Sequence, residues 1–171
     1  LSHGFNKETH ISILSSIISI IITGILANIF INSTHLTGQS NEEAMFLNTL
    51  GGVQYDLKKI LLAGIIISMQ GVLDDVTVAQ AEVVKQLKIA NKNLKWTELY
   101  TKSMNIGRAH IASMINTLVL VYSGASFTLL LLFINSSTAV TEVLNLEIIA
   151  TEIVRTLVGS IGLMLAVPLT T

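Results

Sequence analysis

Four long apolar stretches, separated by polar segments, set the pattern of this chain. They cover residues 11–31, 60–80, 109–134 and 148–170. At a rise of about 1.5 Å per residue, each stretch can cross the roughly 30 Å hydrocarbon core of a bilayer as an α-helix. The pattern therefore predicts an all-α, polytopic membrane protein with about four transmembrane helices in a single membrane domain.

The segment between the second and third spans, residues 81–108, is basic. It carries six of the ten lysine and arginine residues and has a polar turn near Asn91–Asn93. We expect one helix to leave the membrane there and a second helix to return. Lys7 would lie on the same side, whereas only Lys58 and Lys59 would lie on the other. Because cytoplasmic loops are enriched in Lys and Arg, this helical connection is predicted to be cytoplasmic.

Composition agrees with a membrane protein. Hydrophobic residues make up 51% of the chain and charged residues 12%, against about 25% charged residues in a soluble domain. The chain has no cysteine, which excludes a disulfide scaffold. Its net charge of −1 gives no basic field for nucleic acid. The expected principal partner is therefore the lipid bilayer.

Polar residues inside the spans are the candidate chemistry, because charges within a membrane are costly and usually functional. Asp74 and Asp75 lie in the last third of the second span, and Arg108 begins the third. Their depths along the two helices suggest that a polar pocket forms in the inner half of the membrane. The predicted ion- or solute-binding residues are Gln70, Asp74, Asp75, Asn105, Arg108 and Asn116.

The charged residues inside the spans predict an exchangeable ion. Glu152 and Arg155 are three residues apart in the fourth span and are expected to form a structural ion pair. With Asp74 and Asp75 against Arg108, one carboxylate is left without a cation, so it binds either a proton or an exchangeable cation. The alternative is structural: polar side chains across membrane helices often only hold those helices in register.

Other motifs contribute less. Gly159, Gly162 and Ala166 form a stripe of small residues that predicts close helix packing. The four histidines are scattered without zinc-ligand spacing, and no nucleophile–base spacing is present. Neither a metal, nor a cofactor, nor an enzymatic activity is predicted.

Several ordered motifs between about Ile60 and Thr171 resemble the YibE/F family of bacterial multi-span membrane proteins. They are Gly71-Val-Leu-Asp-Asp-Val-Thr-Val-Ala-Gln80, Asn105-Ile-Gly-Arg108, Tyr122-Ser-Gly-Ala-Ser126 and Glu152-Ile-Val-Arg-Thr-Leu-Val-Gly-Ser-Ile-Gly162. The resemblance implies a polytopic protein of the bacterial cytoplasmic membrane. Members are usually longer at the amino end, so it also implies missing amino-terminal spans or a partner membrane subunit. Many relatives have an acidic residue where this chain has Ala109, which would leave Arg108 freer to pair with Asp74.

The expected function is a transporter or permease-like protein for a small solute or ion. Asp74 and Asp75 would be its proton or cation sites, and Arg108 and Arg155 the counter-ions. The rival hypothesis is a membrane scaffold or accessory subunit that transports nothing. The two differ in what neutralising Asp74 would do: transport predicts a loss of flux with assembly intact, whereas the scaffold predicts a change in assembly only.

Overall fold

A computed structural model describes residues 7–40, 42–50, 54–135 and 139–171. Every regular element in these ranges is an α-helix, which confirms the predicted fold class. The helices are α1 (Lys7–Ser33), α2 (Glu42–Leu50), α3 (Leu57–Ala90), α4 (Trp96–Ala125), α5 (Phe127–Ile134), α6 (Val140–Asn145) and α7 (Glu147–Thr170).

Three of these helices, α1, α3 and α7, are each long and apolar enough to cross a membrane. The predicted spans 11–31, 60–80 and 148–170 lie within them. The fourth predicted span, 109–134, is not one straight helix, because α4 and α5 meet at an angle of 61°. The residues at the bend are Ser123-Gly124-Ala125-Ser126, and glycine and serine are typical of sharp helix kinks. Counting this broken pair as one span gives four.

The basic segment 81–108 forms a helical hairpin, with residues 91–95 as its turn. α3 continues through Ala90, and its 34 residues are about 50 Å long, well beyond the thickness of a bilayer core. In the turn, the Asn93 N–H donates to Asn91 Oδ1 at 3.0 Å, and Lys88 Nζ donates to the Lys92 carbonyl at 2.9 Å. We call this the turn end of the bundle; the cavity end is the opposite one, formed by residues 34–40 and 139–146.

α7 is the central helix and contacts α1, α3 and α4. It runs antiparallel to α1, since Ser15 bonds to Leu169 while Thr23 lies against Gly162. Two apolar cores form around it. The core shared by α1, α3 and α7 contains Ala27, Ile31, Leu36, Ile65, Val154 and Val158. The core shared by α3, α4 and α7 contains Met69, Leu73, Val76, Ile111, Leu118, Leu163, Ala166 and Val167.

The small residues of α7 allow this close packing. A Cβ atom at Gly162 would lie 2.5 Å from Thr23 Oγ1, and one at Gly159 would collide with Met69 Sδ. Ala166 is fully buried in the same row. The stripe expected from the sequence is therefore a contact face, in which a larger side chain would force α1 or α3 outward.

The inward face of α1 is lined with hydroxyl groups. Its buried polar residues are Ser12, Ser15, Ser16, Ser19 and Thr23. Ser16 Oγ and Thr77 Oγ1 are 2.6 Å apart, which joins α1 to α3, and Ser15 Oγ donates to the Leu169 carbonyl at 3.2 Å. Small hydroxyl residues thus let three helices approach closely while their polar atoms bond across the contact.

Candidate functional site

The polar pocket predicted around Asp74 and Arg108 does not assemble within this chain. Asp74 is half-buried, whereas Gln70, Asp75, Asn105, Arg108 and Asn116 are all exposed. Within the described residues, no hydrogen bond or ion pair joins any two side chains of this set. The expected pairing of Arg108 with Asp74 is therefore absent from this part of the chain.

Helix register explains why the set is spread out. Gln80 of α3 lies beside Gly107 of α4, and both Met69 and Leu118 lie against position 159 of α7. Asn105 is thus near the level of Gln80, while Asn116 is near the level of Gln70. Asn116 is 11 positions after Asn105, which corresponds to about 16 Å along one helix, so the predicted set cannot meet at one depth.

A different polar residue, Gln80, occupies the junction of α3, α4 and α7. It is only 3% exposed. Its Nε2 donates to the Ser103 carbonyl at 3.1 Å and to Thr171 Oγ1 at 2.7 Å. Both amide protons are used, so this residue joins helices rather than forming an open site. The sequence carried a signal for it, since Gln80 continues the buried row of Met69, Leu73 and Val76 at helical spacing.

A cavity of about 460 Å³ opens at the cavity end, between the starts of α3 and α7 and the residues around α2. That volume lies within the roughly 300–1,000 Å³ of small-molecule sites. The lining residues are Gly38, Ser40, Glu43, Ala44, Ile60, Leu61, Gly64, Ile148, Thr151, Glu152 and Arg155. The cavity thus combines apolar walls with two charged side chains from α7.

Glu152 and Arg155 form the ion pair expected from their spacing. Arg155 Nη1 donates to the two Glu152 carboxylate oxygens at 3.0 and 3.3 Å. The Arg155 guanidinium also lies 5.7 Å from the centre of the Tyr122 ring of α4, a distance at which a cation–π attraction operates. Arg155 is therefore held between a carboxylate and an aromatic ring, and its position is well defined.

Two polar groups in this region have no partner among the described residues: Thr151 Oγ1 and Arg155 Nε, both buried. A buried donor without a hydrogen bond costs about 1–3 kcal/mol. These two atoms have almost no accessible surface, so a molecule in the cavity reaches instead the partly exposed ends of Arg155 and Glu152. The guanidinium donates and the carboxylate accepts, so the pair can recognise a small polar or charged solute.

The rim of the cavity is fixed by Glu147, the first residue of α7. Its carboxylate accepts hydrogen bonds from the Thr37 N–H at 2.7 Å, the Thr37 hydroxyl at 2.7 Å and the Gly38 N–H at 2.5 Å. Gly38 has a φ of +80°, which a residue with a side chain rarely adopts. This clamp joins segments 110 residues apart and holds the 34–40 loop over the cavity.

Metal ligands do not cluster in the parts of the chain that the structure describes: no group of three or more His, Asp or Glu side chains there could hold an ion. The site is thus described by its ion pair, its hydroxyl and its apolar walls.

Comparison with known proteins gives one finding. A family model described as YibE/F-like protein matches residues 1–171, the whole chain. This confirms the resemblance seen in the sequence and extends it over residues 1–59, which contain the first predicted span. No curated protein and no solved structure matches the chain.

Proposed function

This chain belongs to the YibE/F-like family, and on that premise we propose that it is a transporter or permease-like protein of the bacterial cytoplasmic membrane. It moves a small polar solute or ion. The cavity that contains Glu152, Arg155 and Thr151 binds this cargo, and the basic turn at residues 91–95 lies in the cytoplasm.

The single observation that carries the proposal is the charged cavity within a candidate span. Arg155 lies eight residues after the first residue of α7, about 12 Å along the helix. Ionisable residues at such depths have a high free energy of insertion into the membrane, and they usually mark solute or ion pathways. The partly exposed Glu152 carboxylate and Arg155 guanidinium supply hydrogen-bonding capacity for cargo.

The rest of the bundle suits a cavity that is closed on one side. The apolar core of Ala27, Ile31, Val154 and Val158 lies beside the cavity and extends past Arg155 towards the turn end. Beyond it, the hydroxyl groups of α1 are packed against the neighbouring helices. A cavity that ends against a packed core is open to one side only, as alternating access requires.

Asp74 is the second carboxylate in the proposal. It is half-buried in α3, whereas the adjacent Asp75 is exposed. We assign Asp74 the role of proton or cation exchange site that couples to movement of the solute. Asp74→Asn keeps the shape and removes the charge, so folding should survive while the dependence of uptake on an ion gradient is lost.

The proposal is tested by uptake into proteoliposomes. The reconstituted chain is assayed with a panel of radiolabelled alkali cations, inorganic anions and amino acids. We expect at least one solute to enter faster than into protein-free liposomes. Glu152→Gln removes the charge but not the size, and should lower that rate by about tenfold or more, as is typical when one partner of a desolvated charge pair is neutralised.

Glu142→Gln is the matched control, since it is the same substitution at an exposed position of α6. It should leave uptake unchanged. Uptake of none of the solutes, or equal uptake by the two variants, would contradict the proposal. The first result, with intact assembly, is the one that a scaffold or accessory subunit predicts.

A further inference from the structure

The outward faces of α3 and α4 carry exposed polar residues inside the spans and at their turn end. They are Asp75 on α3, and Asn105, Arg108 and Asn116 on α4. Within the described residues, none of these four side chains makes a hydrogen bond or an ion pair. Asp75 and Asn116 lie within the predicted spans, where a lipid chain offers them no hydrogen bond, so this face needs polar partners.

The outward face of α1 is the opposite case. Its large exposed residues are Ile11, Ile13, Leu14, Ile17, Ile18, Ile21, Ile25 and Ile29. Such a face is suited to lipid chains. The α1 face of the bundle is therefore suited to lipid, whereas the α3–α4 face is not. We expect the protein contact on the α3–α4 face.

The shape of the α4 face favours a close helix contact. Asn105, Ala109, Ala112 and Asn116 recur at intervals of four, three and four residues, so they share one side of the helix. All four are exposed. The two alanines allow another helix backbone to approach, and the two asparagines can then bond across the contact.

The charges of the face are complementary to each other. By the register of α3 and α4, Arg108 lies about 6 Å from the level of Asp75, towards the turn end. An arginine side chain can extend over such a distance. If two identical faces meet about a two-fold axis along the membrane normal, Asp75 of each copy can reach Arg108 of the other.

We propose that a second copy of this chain covers the α3–α4 face, as an isologous intramembrane dimer joined by two Asp75–Arg108 ion pairs. A two-fold interface uses the same patch on both copies. A patch that carries both an acid and a base can therefore pair the acid of each copy with the base of the other. An unrelated membrane segment would have to bring its own acid and base at matching depths. The inference does not depend on the transport proposal.

Cysteine cross-linking of the full chain in bacterial membranes tests the proposal, since the chain has no cysteine of its own. Ala112→Cys places a thiol at the centre of the face. Oxidation with copper-phenanthroline should give a disulfide-linked homodimer. Ile17→Cys is the control, because it is exposed on α1 at about the same depth, and it should remain monomeric.

Charge exchange then tests the ion pairs. In the Ala112→Cys background, Asp75→Arg alone and Arg108→Asp alone should each reduce the cross-linked fraction several-fold, and the double variant should restore it. Absence of a homodimer at position 112 would overturn the proposal, including the outcome in which the thiol introduced there cross-links only to a different membrane protein. A homodimer insensitive to all three charge variants would also overturn it.

Discussion

The Glu152–Arg155 cavity and the α3–α4 face both hold charged residues in membrane spans, but they accommodate charge in opposite ways. In the cavity, the side chains of Arg155 and Glu152 are 25% and 22% exposed and bond to each other. On the outward face, Asp75 and Arg108 are exposed, and no described residue pairs with either. Charges that pair within the chain can form a site for a small molecule. Charges that face outward inside a membrane need polar partners, which another protein can supply.

Replacing arginine by leucine should change the free energy of unfolding much more in the cavity than on the α3–α4 face. We expect the loss in the cavity to be the largest of the effects predicted here. Arg155→Leu leaves Glu152 partly buried without its cation, which should lower the free energy of unfolding by roughly 3 kcal/mol. Arg108→Leu, measured in dilute detergent, should change it by less than about 0.5 kcal/mol. Thermal unfolding of the two purified variants decides this, and equal losses would mean that the two regions do not differ as described.

The closest contact between α1 and α7 is at Gly162, so this position should show the next largest effect. Gly162→Leu would place a branched side chain against Thr23 and should cost about 2 kcal/mol or more through overpacking. Gly124→Leu is the control, because a Cβ atom there meets nothing within 4 Å. Both can be measured by thermal unfolding in detergent, and a loss at Gly124 that matches the loss at Gly162 would contradict the packing account.

A smaller effect is expected at the rim. Glu147→Gln weakens the clamp on Thr37 and Gly38, whose hydrogen bonds are mostly exposed, and should cost about 1 kcal/mol. Hydrogen exchange at the Thr37 and Gly38 amides should become faster, while Glu142→Gln should leave their exchange unchanged. Unaltered exchange in Glu147→Gln would show that the rim is held by other contacts.

The smallest effect concerns Asp56, which belongs to neither region and shows what a solvated charge contributes. Hydrogen bonds from the Lys59 side chain and backbone N–H hold the pKa of Asp56 below its usual range. Since the folded pKa is the lower one, this stabilisation is present above the usual aspartate pKa and is lost as the pH falls through the folded value. Amide exchange in the first turn of α3 should therefore become faster at acidic pH, beyond the intrinsic effect of pH on exchange. Asp56→Asn should lack that added pH dependence; the same dependence in this variant would exclude Asp56 as its cause.

The sequence predicted the elements well because length and apolarity decide whether a segment forms a spanning helix. It also placed Glu152 beside Arg155, since their contact depends only on spacing along one helix. Orientation was harder to predict. α1 is apolar almost throughout, so nothing in its pattern required the serines to face inward and the isoleucines to face outward. Packing on Gly162 decides that.

The predicted Asp74–Arg108 pocket was wrong within this chain for a related reason. It assumed that every intramembrane polar residue faces the interior of its own chain, and it set depth by approximate span ends. The cavity was missed because it depends on contacts remote in sequence, above all Glu147 with Thr37 and Gly38. Such contacts leave no local periodicity.

One labelling experiment tests most directly the claim that one region is a solute cavity and the other a protein contact. Gly64→Cys places a thiol at the cavity, where an added Cβ atom meets nothing within 4 Å, and Ala112→Cys places one on the α3–α4 face. Both variants can be treated in membranes with a small, charged methanethiosulfonate reagent. We expect rapid reaction at position 64, which is exposed at a cavity open to water, and almost none at position 112, which is covered by a second copy. Equal reaction rates, or faster reaction at position 112, would contradict this claim.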